Sequence, residues 1–184
     1  MGKISVFNFV SLDGYFKDKD SGVSWHSHDP NSEESRFSEE SSSPANTLLF
    51  GRVTFEMMKS FWPTKIAYEM FPKTAEGMNE GEKIVFSRSL KVSDWKNTTF
   101  IGENIVDAVK KLKETKNITI LGSGSIINQL TEAGLIDEYS FMIDPVVLGE
   151  GTSIFEGVKN KPKLRLKSSK TFKSGVILNI FEKV

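Results

Sequence analysis

Three short segments of the chain carry residue types that bind phosphate, and each follows a short apolar run. In the first, Gly51, Arg52 and Thr54 follow the run 47–50. Glycine lets a backbone approach a ligand closely, and the planar guanidinium of arginine can hold two phosphate oxygens. A threonine here can cap a helix or donate a hydrogen bond to an anion at the helix N-terminus. The segment predicts a phosphate contact, with a plain helix cap beside a solvated arginine as the alternative.

Two later segments have the same form. Ser87 and Arg88 follow the run 83–86 and can bind a phosphate monoester, with a polar turn as the alternative. The third segment follows the run 118–121 and has small residues whose backbone N–H groups can cradle a pyrophosphate. Ile127 stands where the last glycine of the six-position dinucleotide fingerprint would be, so a flexible turn is the alternative. The residues of this glycine segment are Gly122, Ser123, Gly124 and Ser125.

Alternating strands and helices position these segments. Gly134 is placed to end the last helix. Pro63 and Pro72 mark an irregular region, and a C-terminal hairpin turns at Ser174 and Gly175. The pattern predicts one α/β domain, 1–184, with three layers: a mixed, mainly parallel central sheet flanked by helices, and a C-terminal antiparallel hairpin. We predict strands at 4–10, 47–50, 83–86, 98–101, 118–121 and 139–143, helices near 33–40, 53–60, 104–115 and 126–133, and hairpin arms at 163–173 and 176–181.

In a parallel sheet the carboxyl ends of the strands share one edge, where ligands bind. The three segments should therefore face the same ligand. Two of them carry arginine, which suits a phosphate-rich dinucleotide better than three unrelated turns do.

Composition narrows the kinds of partner. Of the 184 residues 38% are hydrophobic, enough for a core. Lys+Arg and Asp+Glu are both 24, so no net charge attracts nucleic acid or an anionic membrane, and we expect a small-molecule substrate. The absence of cysteine excludes thiolate sites and fits a cytoplasmic protein. The apolar N-terminal run stops at Asp13 and Gly14, far short of a membrane span.

Other polar residues have simpler interpretations. The segment 25–29 contains both histidines, His26 and His28, and an aspartate. We interpret it as a polar loop near the substrate mouth and predict no metal site, because no strong third ligand is identifiable. Asp144 is interpreted as part of a turn and Glu150 as a surface residue.

Six segments occur along the chain in a recognisable order and spacing: 10–14 (VSLDG), 50–56 (FGRVTFE), 86–88 (FSR), 121–125 (LGSGS), 134–139 (GLIDEY) and 145–151 (PVVLGEG). In this order and spacing, the chain resembles the dihydrofolate-reductase-like superfamily. Within it, the chain looks like a stand-alone form of the riboflavin-biosynthesis reductase domain, and the resemblance covers nearly the whole length.

The resemblance implies an NADPH-dependent enzyme that transfers a hydride to a small heterocycle, similar to 5-amino-6-(5-phosphoribosylamino)uracil reductase. By position, the first segment and the glycine segment match those at the cofactor pyrophosphate, and the second matches the one that selects a 2′-phosphate. Relatives of this kind imply a homodimer, with the apolar stretch 141–148 as a candidate interface. The implied cofactor-binding residues are Gly51, Arg52, Thr54, Ser87, Arg88, Gly122, Ser123, Gly124 and Ser125.

The source of the proton stays open between water and an acid, with Asp13 and Glu34 as the candidate acids. Asp13 matches the loop beside nicotinamide and substrate. Folate reductases carry an acidic residue on the helix before the Gly-Arg strand, and the expected position falls near Ser35, with Glu34 beside it. Two alternatives follow: a dihydrofolate reductase whose acid is Glu34, and a non-catalytic NADP-binding protein.

Overall fold

The protein folds around an eight-stranded sheet. The computed structural model describes residues 1–41 and 45–184. Their strands are β1 (Ile4–Ser11), β2 (Tyr15–Lys17), β3 (Thr47–Gly51), β4 (Lys83–Phe86), β5 (Thr98–Ile101), β6 (Ile118–Leu121), β7 (Glu138–Asp144), β8 (Thr152–Ser153), β9 (Leu164–Thr171) and β10 (Ile177–Lys183). Their helices are α1 (Glu33–Ser41), α2 (Arg52–Phe61), α3 (Lys65–Met70), α4 (Pro72–Glu80), α5 (Ile105–Lys113) and α6 (Gly124–Glu132).

The large sheet has the strand order β5-β4-β3-β6-β1-β7-β10-β9, and β2 pairs with β8 in a separate ribbon. The strands from β5 to β7 are parallel, and β10 and β9 complete the sheet as an antiparallel hairpin. This confirms the predicted fold class. The carboxyl ends of β5, β4, β3, β6, β1 and β7 consequently share one edge of the sheet.

Helices cover both faces of the sheet. Successive side chains of a strand point to opposite faces, so each face has its own apolar residues to bury. Leu49 of β3 packs in a cluster with residues of α5 and α6. Phe50, the next residue, points to the other face and packs with Phe55 of α2. On that second face, Phe9 of β1 packs in a third cluster with Phe37 of α1. The sheet is thus the middle of three layers.

The region marked by two prolines is helical, so the prediction of an irregular segment was wrong. Pro72 lies in the first turn of α4, where its missing N–H is not needed. Thr64 caps α3, since its hydroxyl accepts a hydrogen bond of 3.3 Å from the backbone N–H of Ala67. Proline here separates two short helices and does not exclude them.

Two glycines end elements as predicted. Gly134 follows α6 with φ of 63°, and Gly175 lies in the β9–β10 turn with φ of 91°. Both values favour glycine, because the Cβ of any other residue crowds the backbone at positive φ.

The stretch 141–148, our candidate dimer interface, is largely internal. Phe141 is 7% and Met142 0% exposed, since both lie in β7 within the sheet. Val147 is 65% exposed. The homodimer stays a prediction, and Phe141 and Met142 are not exposed for its contacts. Among the described residues, no helix is long and apolar enough to cross a bilayer.

Candidate functional site

The three predicted phosphate-binding segments lie side by side at one edge of the sheet. Gly51 ends β3, Ser87 follows β4 and Gly122 follows β6, and the order of these strands is β4-β3-β6. A cavity of about 560 Å³ opens at this edge. The structure therefore brings together segments that are far apart in sequence. The polar side chains that line the cavity include Arg52, Ser87, Arg88, Glu103, Ser125 and Gln129.

Ser123 connects the glycine segment to the first segment through two hydrogen bonds. Its hydroxyl accepts a hydrogen bond of 2.7 Å from the backbone N–H of Gly51 and donates one of 3.0 Å to Oγ1 of Thr54. Ser123 is buried, and its backbone is left-handed, with φ of 61° and ψ of 63°. Within the described residues the backbone N–H groups of Gly124 and Ser125 donate no hydrogen bond, so they remain for an anion at the start of α6.

Gly122 requires glycine both for its backbone conformation and for its close contact with α2. Its φ is 57°, and an added Cβ would lie 2.9 Å from Cγ2 of Thr54. Its N–H donates a hydrogen bond of 2.8 Å to Oδ1 of Asn8 on β1. The Nδ2 of Asn8 is buried without a partner in the described ranges. Thr54 does not cap α2, because Gly51 occupies the N-cap and the Thr54 hydroxyl is bound by Ser123.

The two arginines of the cavity differ in their ion pairing. Nη1 of Arg52 lies 2.8 Å from Oε2 of Glu56, one helical turn away. Arg88 is exposed and makes no ion pair within the described part of the chain. Ser87 is buried, and its hydroxyl accepts a hydrogen bond of 2.8 Å from the backbone N–H of Leu90, which shapes the turn. The guanidinium of Arg88 is thus available to an anionic ligand.

Sequence reasoning missed a fourth junction at this edge. Ile101 ends β5, and Gly102, Glu103 and Asn104 follow it along the cavity. Asn104 caps α5, since its Oδ1 accepts a hydrogen bond of 2.9 Å from the backbone N–H of Val106. The signal was present, because a glycine again follows an apolar strand shortly before a helix. Glu103 places a negative charge in a cavity whose other charged residues are arginines.

Asp13, one of the two predicted acids, lies in the exposed turn after β1. Its carboxylate accepts hydrogen bonds from Oγ of Ser11 (2.6 Å) and from the backbone N–H groups of Leu148 (3.2 Å) and Gly149 (2.8 Å). These bonds, that of Ser11 first, lower the pKa of Asp13. The residue ties two loops together as an ionised carboxylate.

Glu34, the other predicted acid, lies on α1 and is 7% exposed. Ser174, at the tip of the β9–β10 hairpin, donates a hydrogen bond to its carboxylate. Burial acts to raise the pKa of Glu34, but hydrogen bonds from Ser174, its own backbone N–H and Ser32 outweigh burial, and the pKa is lowered overall. Glu34 therefore joins α1 to the hairpin beside the end of β7.

A buried pair that we had not predicted lies near the ends of β1 and β7. Nδ1 of His26 is 2.9 and 3.0 Å from the two carboxylate oxygens of Asp144. The two residues are 6% and 5% exposed. Asp144 is the last residue of β7, so its assignment to a turn was wrong, and His26 is buried although its loop is polar. Glu150 is exposed, as predicted. Within the described ranges no group of three or more His, Asp or Glu side chains could hold a metal ion.

The sequence matches the RibD C-terminal domain family over residues 2–178. The chain belongs to this family. It is 32% identical over 174 residues to the uncharacterized Bacillus subtilis (strain 168) protein YyaP, covering 94% of this chain and 90% of YyaP. It is 30% identical over 179 residues to the uncharacterized protein YwjB of the same strain, covering 96% of each.

Solved structures share the RibD C-terminal domain fold. A Shewanella sp. PV-4 protein named for riboflavin biosynthesis superposes with a TM-score of 0.75 at 20% identity, over 99% of both chains. A Thermotoga maritima diaminohydroxyphosphoribosylaminopyrimidine deaminase/5-amino-6-(5-phosphoribosylamino)uracil reductase gives a TM-score of 0.68 at 14% identity. This last match covers all of our chain and 57% of the Thermotoga chain. These likenesses confirm the fold.

Proposed function

We propose that this RibD C-terminal domain protein is an NADPH-dependent reductase that transfers a hydride to a small heterocycle. The observation that carries the proposal is the order of features along the ligand-binding edge, β4-β3-β6-β1-β7. Arg88 follows β4, the glycine segment follows β6, and the His26–Asp144 pair lies at β1 and β7. A dinucleotide along this edge would have its 2′-phosphate at β4, its pyrophosphate between β3 and β6, and its nicotinamide at β1.

The residues at this edge fit such a cofactor. The free guanidinium of Arg88 suits a 2′-phosphate, and the free N–H groups of Gly124 and Ser125 suit a pyrophosphate at a helix N-terminus. The buried Nδ2 of Asn8 lacks an acceptor in the described ranges, which a bound group beside Gly122 would supply. A reduced nicotinamide would provide the hydride, and the chain would bind it, orient it and exclude water.

The family and the fold support a substrate class. The Thermotoga protein is named as a reductase of 5-amino-6-(5-phosphoribosylamino)uracil, and we propose a similar aminopyrimidine for our chain. A second candidate is dihydrofolate, favoured by one observation: Glu34 is a buried carboxylate on α1 near the end of β7. Oxidation of NADPH with each of these two compounds discriminates them, and oxidation with neither favours a non-catalytic NADP-binding protein.

A binding experiment tests the cofactor assignment. We expect the wild type to bind NADPH more tightly than NADH, measured by fluorescence titration. Arg88→Ala should weaken NADPH binding by about 1.5–3 kcal/mol, the value of a charge-assisted hydrogen bond, and should leave NADH binding nearly unchanged. Arg165→Ala is the matched control, because Arg165 pairs with Glu182 in the β9–β10 hairpin, outside the cavity. Failure of the wild type to bind either nucleotide would contradict the proposal.

A further inference from the structure

His26 and Asp144 form a buried acid–base pair that cofactor binding does not explain. Asp144 is in register with Ser11 at the end of β1, so its carboxylate lies at the same edge as the glycine segment. Neighbouring strands are about 4.8 Å apart, and β1 separates β6 from β7, so the pair lies roughly 10 Å along the edge from the end of β6. A cofactor bound at β4, β3 and β6 extends in this direction.

One ring nitrogen of His26 contacts Asp144, and the other has no partner among the described residues. Nδ1 contacts both carboxylate oxygens of Asp144, whereas Nε2 makes no hydrogen bond with any residue that the structure describes. The ring lies nearly flat on Phe9 of β1, with centroids 3.7 Å apart and planes inclined by 20°. A carboxylate on Nδ1 keeps that nitrogen protonated and leaves Nε2 to exchange a proton with a ligand.

We propose that His26, oriented by Asp144, donates the proton in the reduction, and that the substrate is reduced at a C=N or C=O bond. This inference rests on the proposed function. In the step, the substrate carbon gains the hydride, which oxidises NADPH to NADP⁺. The substrate nitrogen or oxygen takes the Nε2 proton from the imidazolium, which becomes neutral imidazole with Nδ1–H on Asp144. Water then returns a proton to Nε2. Asp144 is a positioning residue, since it contacts only Nδ1 of His26 in this step.

The other acids of the region are less suited to this role. Hydrogen bonds lower the pKa of Asp13 and, against burial, that of Glu34, so both hold carboxylates at neutral pH. The titratable groups around His26 are Asp144 of β7, Glu34 of α1 and His28 of its own loop, whose ring centroid is 5.2 Å away.

Nitrogen NMR of the histidine rings tests the placement without any turnover. The chain has two histidines, so the His28→Gln variant assigns both sets of signals. We expect neutral His26 to carry its proton on Nδ1, and the Asp144→Ala variant to show a mixture of tautomers. Saturation with NADP⁺ and with NADPH should move the Nε2 signal of His26 to different positions, because the two cofactors differ at the nicotinamide ring. The His28 signals should move less.

Turnover tests the proton transfer itself, with 5-amino-6-(5-phosphoribosylamino)uracil as the probe. His26→Gln should lower kcat by about 10²–10³-fold, within the range for loss of a general acid, while NADPH binding is retained. His28→Gln is the control and should stay close to the wild type. In His26→Ala, added 4-methylimidazole should restore activity, whereas 4-methylthiazole, which has no ring N–H, should not.

Each outcome separates the two proposals. A wild type that does not bind NADPH overturns the proposed function. If NADPH binds and the Nε2 signal of His26 does not respond to either cofactor, or if His26→Gln loses no more activity than His28→Gln, the proton-donor role is wrong and the reductase remains. If NADPH binds and the probe is not reduced, the substrate class is wrong, and the response of the Nε2 signal decides for or against His26.

Discussion

Ser123 shows how a residue of the glycine segment acts on its neighbours in the fold. Its hydroxyl holds Gly51 and Thr54, so it sets the distance between the first segment and the glycine segment. Arg88 and the N–H groups of Gly124 and Ser125, by contrast, have no hydrogen-bond or ion-pair partner among the described residues. A sequence offers the same residue types for both purposes, and only the hydrogen bonds separate the residues that position the site from those that can bind.

Ser123→Ala should reduce the free energy of unfolding by about 1–3 kcal/mol, because the buried Gly51 N–H loses its acceptor. Ser123→Gly removes the same hydroxyl but relieves the left-handed backbone, so it should cost about 1 kcal/mol less than the alanine variant. The measurement is urea unfolding, and Ser125→Ala, at an exposed position, is the control, expected within about 0.5 kcal/mol of the wild type. Equal stabilities of Ser123→Ala and Ser125→Ala would refute the positioning role.

At the scale of elements, the first residue of β4 holds the end of α4. Lys83 is 0% exposed, and its Nζ donates hydrogen bonds to the backbone carbonyls of Met78 (2.9 Å), Asn79 (3.0 Å) and Gly81 (2.6 Å). These carbonyls are at the C-terminal end of the helix, which favours a cation. Burial nevertheless lowers the pKa of Lys83 from 10.5 to about 8.

This pKa predicts a stability that rises with pH in the alkaline range. Between about pH 8 and 10.5 the unfolded chain keeps the Lys83 proton and the folded chain has lost it, so the unfolded state binds more protons and raising the pH favours folding. Loss of the Lys83 proton adds at most about 3 kcal/mol to the free energy of unfolding across this range. The measurement is the free energy of unfolding of the wild type and of Lys83→Met in urea. The difference between the two should change across this pH window. A constant difference would show that Lys83 does not titrate there.

At the scale of the whole molecule, cofactor binding should stabilise the fold, because the site is assembled from strands that only the folded sheet brings together. NADPH at about 100 times its Kd adds about 2.7 kcal/mol, which for a chain of this size raises the Tm by roughly 5–10 °C. NADH should raise the Tm less, and Arg88→Ala should remove the difference between the two nucleotides. Circular dichroism during heating is the measurement, and equal shifts by NADPH and NADH in the wild type would contradict selection of a 2′-phosphate.

The sequence by itself determined the elements and the segments that follow them. Local sequence patterns predicted most strands and α1, α2, α5 and α6, because local patterns set local structure. They also placed Gly51, Ser87 and Gly122 at the ends of strands. They did not predict α3 and α4, because the prolines were interpreted as marks of an irregular region. They also did not predict the cavity residues after β5. Only the tertiary structure decided that β6 lies between β3 and β1, and that His26 meets Asp144, 118 residues away. Strand order and long-range pairing follow from how the whole chain buries its apolar faces, and no local window of sequence contains that information.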